Sequence, residues 1–540
     1  MPTTGALDAL DTVRSYAEAV FRRAREPMEP RNYEIDWDDQ PSRHKTYPGS
    51  YRVPLPPVRT GLATLRQLLT GEEPDAQPWS LDRLATLLRL SYGVLDRRLN
   101  VNWNQDLHKR VFFPHAVWGR GTASGGGMYP VEIYWVAGPS GPLVPGVYHY
   151  ATGHHALHRL VVGDLTPVVR AALGGRDRGD QFLLATIRFW KNSFKYNSFC
   201  YHVVTQDLGA MLGSWDLLGR AMGTPVRRHL SFDVEKLDAL LGLDSEAESV
   251  FAVLPLPWEG TAAEDGPPSH TLDVPGDLIT YSAFERSRTI RTFPQVIAVH
   301  RAAMADTDPD PAAVRAAAPT DLPGAPVALP EPELARLDRP MSAVIGSRAS
   351  SFGRFRRPPE MTAEQLATTL KVAAASRRYA ADVKPADDPP PLTRLWAFVN
   401  HVEGLAPGTY AYRERDHALL PVKPAPEPDM STFLQHNYFL TNYAMNQVGA
   451  VVAISGRLDA VLSAFGSRGY RILNAEVGTV AQAVYCAAAA LGIGCGAVLG
   501  FDNVGMNEAL GIDGSDEQTM LFVLLGREPA HPADLSYRMW

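Results

Sequence analysis

The sequence predicts an α+β fold made of two copies of one ancestral unit, and three repeated stretches carry that expectation. The longest runs from Arg188 to Gly209 (RFWKNSFKYNSFCYHVVTQDLG) and recurs from Arg457 to Gly478 (RLDAVLSAFGSRGYRILNAEVG), 269 positions on (457 − 188). The same register continues without a gap through Gly223/Gly492, Phe232/Phe501, Asp233/Asp502, Gly242/Gly511, Asp244/Asp513 and Glu248/Glu517, which argues duplication rather than chance. A second block, PGVYHYATGHHAL from Pro145 to Leu157, answers PGTYAYRERDHAL from Pro407 to Leu419, and alternating aromatics about a polar turn predict a hairpin in each. In the third, Leu84-Ala85-Thr86 returns as Leu366-Ala367-Thr368. Each copy mixes segments of helical and strand period without the regular alternation of a parallel doubly wound sheet, hence α+β.

Taken in order, residues 1–58 read as an accessory arm: an amphipathic helix over residues 5–25, then a turn-rich stretch that wraps the body. The first repeat, 59–272, contains a helix capped by Ser80, with Leu84, Leu87, Leu88 and Leu90 mostly on one face. Residues 273–340 read as one helix, 280–304, followed by a Pro/Ala-rich semi-rigid linker. In the second repeat, 341–540, Thr362 with Gln365 three residues on makes a capping box. The uncharged run from Ala483 to Phe501 is nearly long enough to cross a bilayer. It is rich in Ala and Gly and broken at Gly492, Gly494 and Gly496, so it reads as a buried helix followed by an extended segment.

Composition narrows the function. A chain of 540 residues, 45% hydrophobic and 21% charged, is ordinary globular material. A net charge of -7 and a pI near 6.1 leave no basic stripe for nucleic acid or an anionic membrane, so neither is expected as a partner. Cys200, Cys486 and Cys495 are too few and too badly spaced for a disulfide framework or a zinc site, which suits a reducing cytoplasm. The amino-terminal stretch carries scattered acidic residues and no uninterrupted apolar run, so it does not read as an export signal. His149, His154, His155 and His158 cluster at the hairpin but lack a convergent carboxylate or cysteine, and only His155 has a counterpart, His417; no metal is expected.

Chemistry divides unevenly between the copies. Arg348-Ala349-Ser350-Ser351 sets a guanidinium beside two hydroxyls, which suits a phosphate monoester; the first copy's Arg66-Gln67-Leu68-Leu69 lacks the hydroxyls. The run GIGCGAVLGFD, Gly492 to Asp502, lets main-chain N–H groups approach a flat ring. Its G-x-G follows a helical segment rather than a strand, which excludes a dinucleotide fold. Conversely, Ala123-Ser124-Gly125-Gly126-Gly127 in the first copy offers bare backbone donors and a hydroxyl, where the second has Pro385-Ala386-Asp387-Asp388, whose carboxylates repel phosphate. Lys195 and Tyr196 stand opposite Ala464 and Phe465, so one copy holds an ionisable pair that the other lacks.

ASGGGMYPVEIY and PGVYHY in the first half, with RASSFGRF, GSRGYR and LGIGCGAVLGFD in the second, resemble the flavin-dependent nitroreductase fold. Within it they resemble the SagB-type (McbC-like) azoline dehydrogenases of thiazole/oxazole-modified peptide biosynthesis. Such proteins pair to bind FMN at a subunit interface, so the resemblance implies two tandem nitroreductase-like repeats forming an intramolecular pseudo-dimer. It implies one composite FMN site: Arg348, Ser350 and Ser351 on the phosphate, Ala497, Val498, Leu499 and Gly500 along the isoalloxazine edge, and Ser124, Gly125 and Gly126 from the other half. A carboxy-terminal arginine, Arg527 or Arg538, also reaches the phosphate in that scheme, and the mirror site is empty of function. The resemblance makes Lys195 and Tyr196 the catalytic pair. Lysine, its pKa lowered by an apolar pocket, takes a proton while hydride leaves the neighbouring ring carbon. Two departures bear on pocket shape: Ala123 stands where the family has Pro, and Asn197 to His202 replace the Gly-x-Arg-Gly-Tyr-Arg of the second copy. The implied activity is oxidation of thiazoline or oxazoline rings to azoles in a cytoplasmic pathway, with a peptide substrate, a cyclodehydratase complex as partner, and a further homodimer left open. An NAD(P)H-dependent nitroreductase or flavin oxidoreductase, and a non-catalytic scaffold, are the alternatives.

Overall fold

The computed structural model describes residues 4–100, 117–259, 278–305, 307–352, 354–357, 360–528 and 534–539. The expected 272/273 boundary and Gly353 of the RASSFGRF stretch lie outside the described residues. Two sheets organise the chain, and every ladder in them is antiparallel. The first runs Tyr51–Pro54, Ala156–Val162, Gly146–Ala151, Val131–Ala137, Gln181–Arg188, Glu248–Pro255. The second, from its far edge, runs Val327–Ala328, Ala418–Pro424, Gly408–Arg413, Thr393–Val399, Val448–Arg457, Glu517–Gly526, and adds Gly494–Val498. Both expected hairpins form, and each turns on a histidine at positive φ, His155 (49°) and His417 (47°). Each ring is held between a tyrosine hydroxyl and a proline carbonyl: Tyr150 and Pro56 around His155, Tyr412 and Pro330 around His417. Among the described residues no cluster of three His, Cys, Asp or Glu could hold a metal.

Between the sheets lie two long helices, Cys200–Ala221 and Gly469–Leu491, whose first residues are 269 apart. Both are buried almost all round, which is why neither shows a sharply polar face. They cross where glycine lets backbone meet backbone. A Cβ on Gly209 would stand 2.1 Å from the Ala475 carbonyl oxygen, and one on Gly478 would stand 2.0 Å from that of Gln206. Gln206 and Ala475 are also 269 apart, so the contact is reciprocal. A second reciprocal contact joins the chain upstream: Leu65 N donates to Arg339 O at 3.2 Å and Met341 N to Ala63 O at 3.0 Å, an offset of 276 (341 − 65). That offset sets Glu72, not Arg66, opposite Arg348 and corrects the pairing expected from sequence. Arg66 instead binds Glu72 and Asp338.

Local expectations hold at the caps: Ser80 caps Leu81–Ser91, and Thr362 with Gln365 forms a capping box on Ala363–Ala375. The amino-terminal helix spans Thr4–Arg22, and the arm then lends Tyr51–Pro54 to the first sheet. The stretch read as helix and linker differs most. Its first helix is only Pro294–Ala302, because Pro294 fixes the start after an extended Phe293. Beyond it, Pro311–Ala316, the edge strand Val327–Ala328 and Leu334–Leu337 pack on the body rather than spanning a gap. No described helix is long and apolar enough to cross a membrane.

Candidate functional site

Lys195 and Tyr196 end the short helix Trp190–Tyr196. The chain leaves it through Asn197 at φ 42°, where the second half has Gly466 at 63°. A non-glycine residue there costs on the order of 1 kcal/mol or more, so the break is held by its surroundings. Gly126, at φ 62°, closes on the pair: a Cβ there would lie 2.6 Å from Tyr196 Oη and 2.8 Å from Lys195 Nζ. Lys195 is half-buried, and burial alone pulls its ammonium below the ordinary lysine range. Nζ lies 5.2 Å from the centre of the Tyr196 ring. Tyr196 is raised by burial first and by the nearby Asp207 carboxylate second, so it remains a neutral phenol.

Asp207, on the first central helix, fixes the Gly126 loop. Its Oδ2 accepts from Ser124 Oγ and its Oδ1 from Gly125 N, both at 2.7 Å, while Ser124 Oγ accepts from Tyr129 N at 2.9 Å. Burial pushes the Asp207 carboxyl up to about 7, against the pull of those two bonds. Ser124 and Gly125 are therefore engaged with Asp207, and Gly126 is the exposed member of the three. At the equivalent position Glu476 is saturated: Lys384 Nζ at 2.5 Å, Leu392 N at 2.7 Å, Thr393 N and Oγ1 at 2.9 Å, and Tyr379 Oη at 3.2 Å all donate to it.

Arg348 follows the helix Met341–Ser347 and points into the seam between the halves. It is buried; Nε donates to Gly121 O at 2.8 Å and Nη2 to Arg120 O at 3.0 Å, while Nη1 has no partner among the described residues. Gln482, from the second central helix, ties the same loop by accepting from Ala123 N (3.0 Å) and donating to Gly121 O (3.1 Å). Arg348 lies 5.2 Å from the centre of the Tyr485 ring, whose hydroxyl meets Ser350 Oγ at 3.0 Å and accepts from Ala497 N at 2.8 Å. The two serines differ. Ser350 is exposed, whereas Ser351 is buried and latches the strand at Gly494–Val498, its Oγ accepting from Cys495 N at 2.7 Å and its N donating to Cys495 O at 2.8 Å.

Beyond Val498 the carbonyls are engaged, Leu499 O by Arg23 and Gly500 O by Phe439 N at 2.9 Å, but the N–H groups are not. Among the described residues, the N–H groups of Leu499 and Gly500 have no partner, although Gly500 is buried. Tyr443 packs over Gly496, and Tyr438 and Leu440 over Gly500, close enough that a Cβ at either glycine would meet them within 3 Å. Arg23 closes the other side, donating to Leu499 O and lying 4.4 Å from the centre of the Phe199 ring. A buried amide without a partner, as at Gly500, is costly, so this donor and that of half-buried Leu499 fit a group that supplies acceptors. With Arg348 Nη1 and the Ser350 hydroxyl they form a donor set suited to a flat, phosphate-bearing cofactor. Arg527 is exposed, its carbonyl accepting from Arg356 N. Arg538 is exposed on the strand Asp534–Arg538, whose partner strand carries Arg98; Arg98 Nη1 donates to Arg348 O at 3.1 Å.

Sequence reasoning missed Asp207, Gln482, Tyr485, Arg98 and Arg23. The alignment of Asp207 with Glu476 inside the repeated stretch was the available signal. For the rest, only the fold brings them near.

No curated protein matches the chain. A crystal structure of a candidate nitroreductase from Anabaena variabilis superposes with a TM-score of 0.67 at 21% identity, covering 96% of this chain and 99% of that one, and so shows a shared fold. A candidate nitroreductase from Ralstonia eutropha (TM-score 0.29, 20% identity, 43% and 99% covered) and the E. coli microcin synthetase McbBCD complex with truncated pro-MccB17 (0.27, 16%, 47% and 94%) are also similar in part. Residues 346–527, which hold Arg348, Ser350 and the bare amides of Leu499 and Gly500, match the model of the nitroreductase family.

Proposed function

We propose that the chain is an FMN-dependent dehydrogenase that oxidises thiazoline or oxazoline rings of a modified peptide to azoles. Its two nitroreductase-like halves form an internal pseudo-dimer with one working site at their seam. The observation that carries this reading is the division of equipment across that seam. The first half presents Lys195 and Tyr196 against Gly126, and the second presents Arg348 Nη1, Ser350 and the open N–H groups of Leu499 and Gly500. Arg348 and Ser350 would hold the phosphate, and the Leu499–Gly500 amides the ring edge. When bound, FMN supplies the acceptor for the hydride that leaves the azoline ring.

Lys195 takes the proton from the neighbouring ring carbon. That task needs the free amine, and a desolvated lysine supplies more of it near neutral pH than a solvated one. Turnover therefore rises with pH through a midpoint below that of an ordinary lysine. Tyr196, kept protonated by burial and by Asp207, remains a neutral hydroxyl available to donate toward the substrate beside Lys195. The peptide enters from solvent, and a cyclodehydratase that makes the azoline is the expected partner.

Purified protein should show a bound-flavin absorption spectrum. Lys195→Ala should keep that spectrum and lose thiazoline oxidation by about 10²–10⁴-fold, the usual worth of a general base; unchanged turnover would reject the assigned base.

A further inference from the structure

The amino-terminal arm reaches the Lys195–Tyr196 break from two sides. Tyr33 Oη donates to Phe194 O at 2.8 Å, immediately before the pair. That carbonyl belongs to the last turn of Trp190–Tyr196, where helix geometry leaves acceptors without donors. Tyr16 Oη donates to Ser198 O at 2.9 Å, immediately after it, and accepts from His202 N at 3.2 Å. Ser198 O and His202 N are four residues apart, the spacing of a helical hydrogen bond. The Tyr16 hydroxyl bridges them at the start of the helix Cys200–Ala221, one residue past the break at Asn197, a break the second half makes with glycine at the equivalent Gly466. Trp37 adds an edge contact to the Phe194 ring at 5.5 Å.

Tyr16 also breaks the internal symmetry. Its ring meets Tyr201 at 6.0 Å and Tyr470 at 5.9 Å, both edge-on, and these two tyrosines are 269 apart. A single side chain between two equivalent ones can serve only one half, and its hydroxyl serves the half that carries Lys195.

We propose, resting on the reading above, that Tyr16 and Tyr33 are positioning residues that hold the strained turn at Asn197 and thereby set Lys195 Nζ against Gly126. Groups packed around the lysine are Tyr196 from its own helix and the Gly126 loop, with Asp207 behind that loop. No charged neighbour accounts for the state of Lys195; burial does. Loosening the turn should therefore return the amine toward solvent.

The test is the titration midpoint of Lys195 in the full-length protein. It is read by reductive methylation with ¹³C-formaldehyde and the NMR shift of the methylated amine, and needs no substrate. Tyr16→Phe and Tyr33→Phe keep the rings and remove the hydroxyls. Each should raise the midpoint, and the double variant should raise it by about one pH unit, the scale of partial resolvation. With a synthetic thiazoline peptide, kcat should fall about tenfold with KM within threefold, as expected when one positioning bond is lost. Tyr47→Phe is the control: this arm tyrosine bonds Tyr134 Oη at 2.9 Å, away from the turn, and its loss should leave the midpoint unmoved. A midpoint that stays put in the double variant, or moves equally in Tyr47→Phe, overturns the proposal whatever turnover does. Full activity in Lys195→Ala beside a shifted midpoint would instead discard the assigned base and leave the arm's role standing.

Discussion

Residues 497–500 and 228–231 follow their central helices at the same offset, 269 (497 − 228), yet their backbone meets opposite surroundings. In the second half the N–H groups of Leu499 and Gly500 are open. In the first half Asp382 takes both equivalents, Leu230 N at 2.8 Å and Ser231 N at 3.2 Å. Where the second half has Ala497, bonded through its N–H to Tyr485 Oη, the first has Arg228. Its guanidinium lies 4.0 Å from the centre of the Tyr379 ring and donates to Thr479 Oγ1 at 3.0 Å and Leu212 O at 3.1 Å. The same backbone path is thus closed by the protein's own carboxylate and cation on one side and keeps two N–H groups without partners among the described residues on the other. Leaving a buried amide open, as at Gly500, costs about 1–3 kcal/mol, a penalty that Ser231 N, bonded to Asp382, does not carry.

The largest expected effect strikes what the two regions share. Gly478→Ala drives a Cβ into the Gln206 carbonyl, a backbone atom that cannot swing aside, and should destabilise the chain by about 3 kcal/mol or more. Thermal melting would show it, and a melting point near that of the parent would mean that the helices do not cross as described. Arg348→Ala and Arg228→Ala then test the difference itself. The first should weaken FMN binding about 10- to 100-fold, the range of a charge-assisted hydrogen bond. Arg228→Ala should lower stability and leave flavin affinity intact. Equal loss of flavin in both would erase the proposed asymmetry.

A pH series sharpens the comparison of Asp207 with Glu476. With its folded-state pKa raised to about 7, Asp207 binds its proton more tightly folded than unfolded. Its contribution to stability is therefore full below the unfolded value, about 3.9, and is lost as pH rises through 7. Asp207→Asn should flatten that decline, a difference of at most about 4 kcal/mol across the window; parallel curves for parent and variant would remove Asp207 from the account. The smallest effect separates the two serines. Ser350→Ala should cost a few-fold in FMN affinity, one neutral hydrogen bond of about 1 kcal/mol. Ser351→Ala should instead lower the melting temperature, because its hydroxyl holds the strand at Cys495.

Much local structure was legible because it depends on neighbours in sequence. The caps at Ser80 and Thr362, the two hairpins, and the buried helix running into an extended segment each follow from residues a few positions apart. The helix expected over 280–304 is confined to Pro294–Ala302 because the chain upstream is pinned to the arm: Ser42 N donates to Glu285 Oε1 at 2.7 Å, and Arg288 N to Asp39 Oδ1 at 2.7 Å. At the candidate site, Lys195 and Tyr196 stand out when the copies are compared, whereas Arg348 is marked by the hydroxyls that follow it in its own stretch. That Ser124 and Gly125 bind Asp207, and that Ser351 latches a strand, could not be read this way, since those bonds span 82 to 144 positions.

By itself the sequence determined the mixed helix-and-strand character, the 269-residue register and that only the first of the two matched stretches carries the Lys195–Tyr196 pair, because patterning and residue identity are local properties. Only the tertiary structure decided which amides stay open, which serine is committed to a strand, and that an amino-terminal tyrosine enters between Ser198 and His202. Those outcomes depend on donors and acceptors far apart in the chain competing for the same few ångströms, and the burial that settles the competition exists only once both halves have packed.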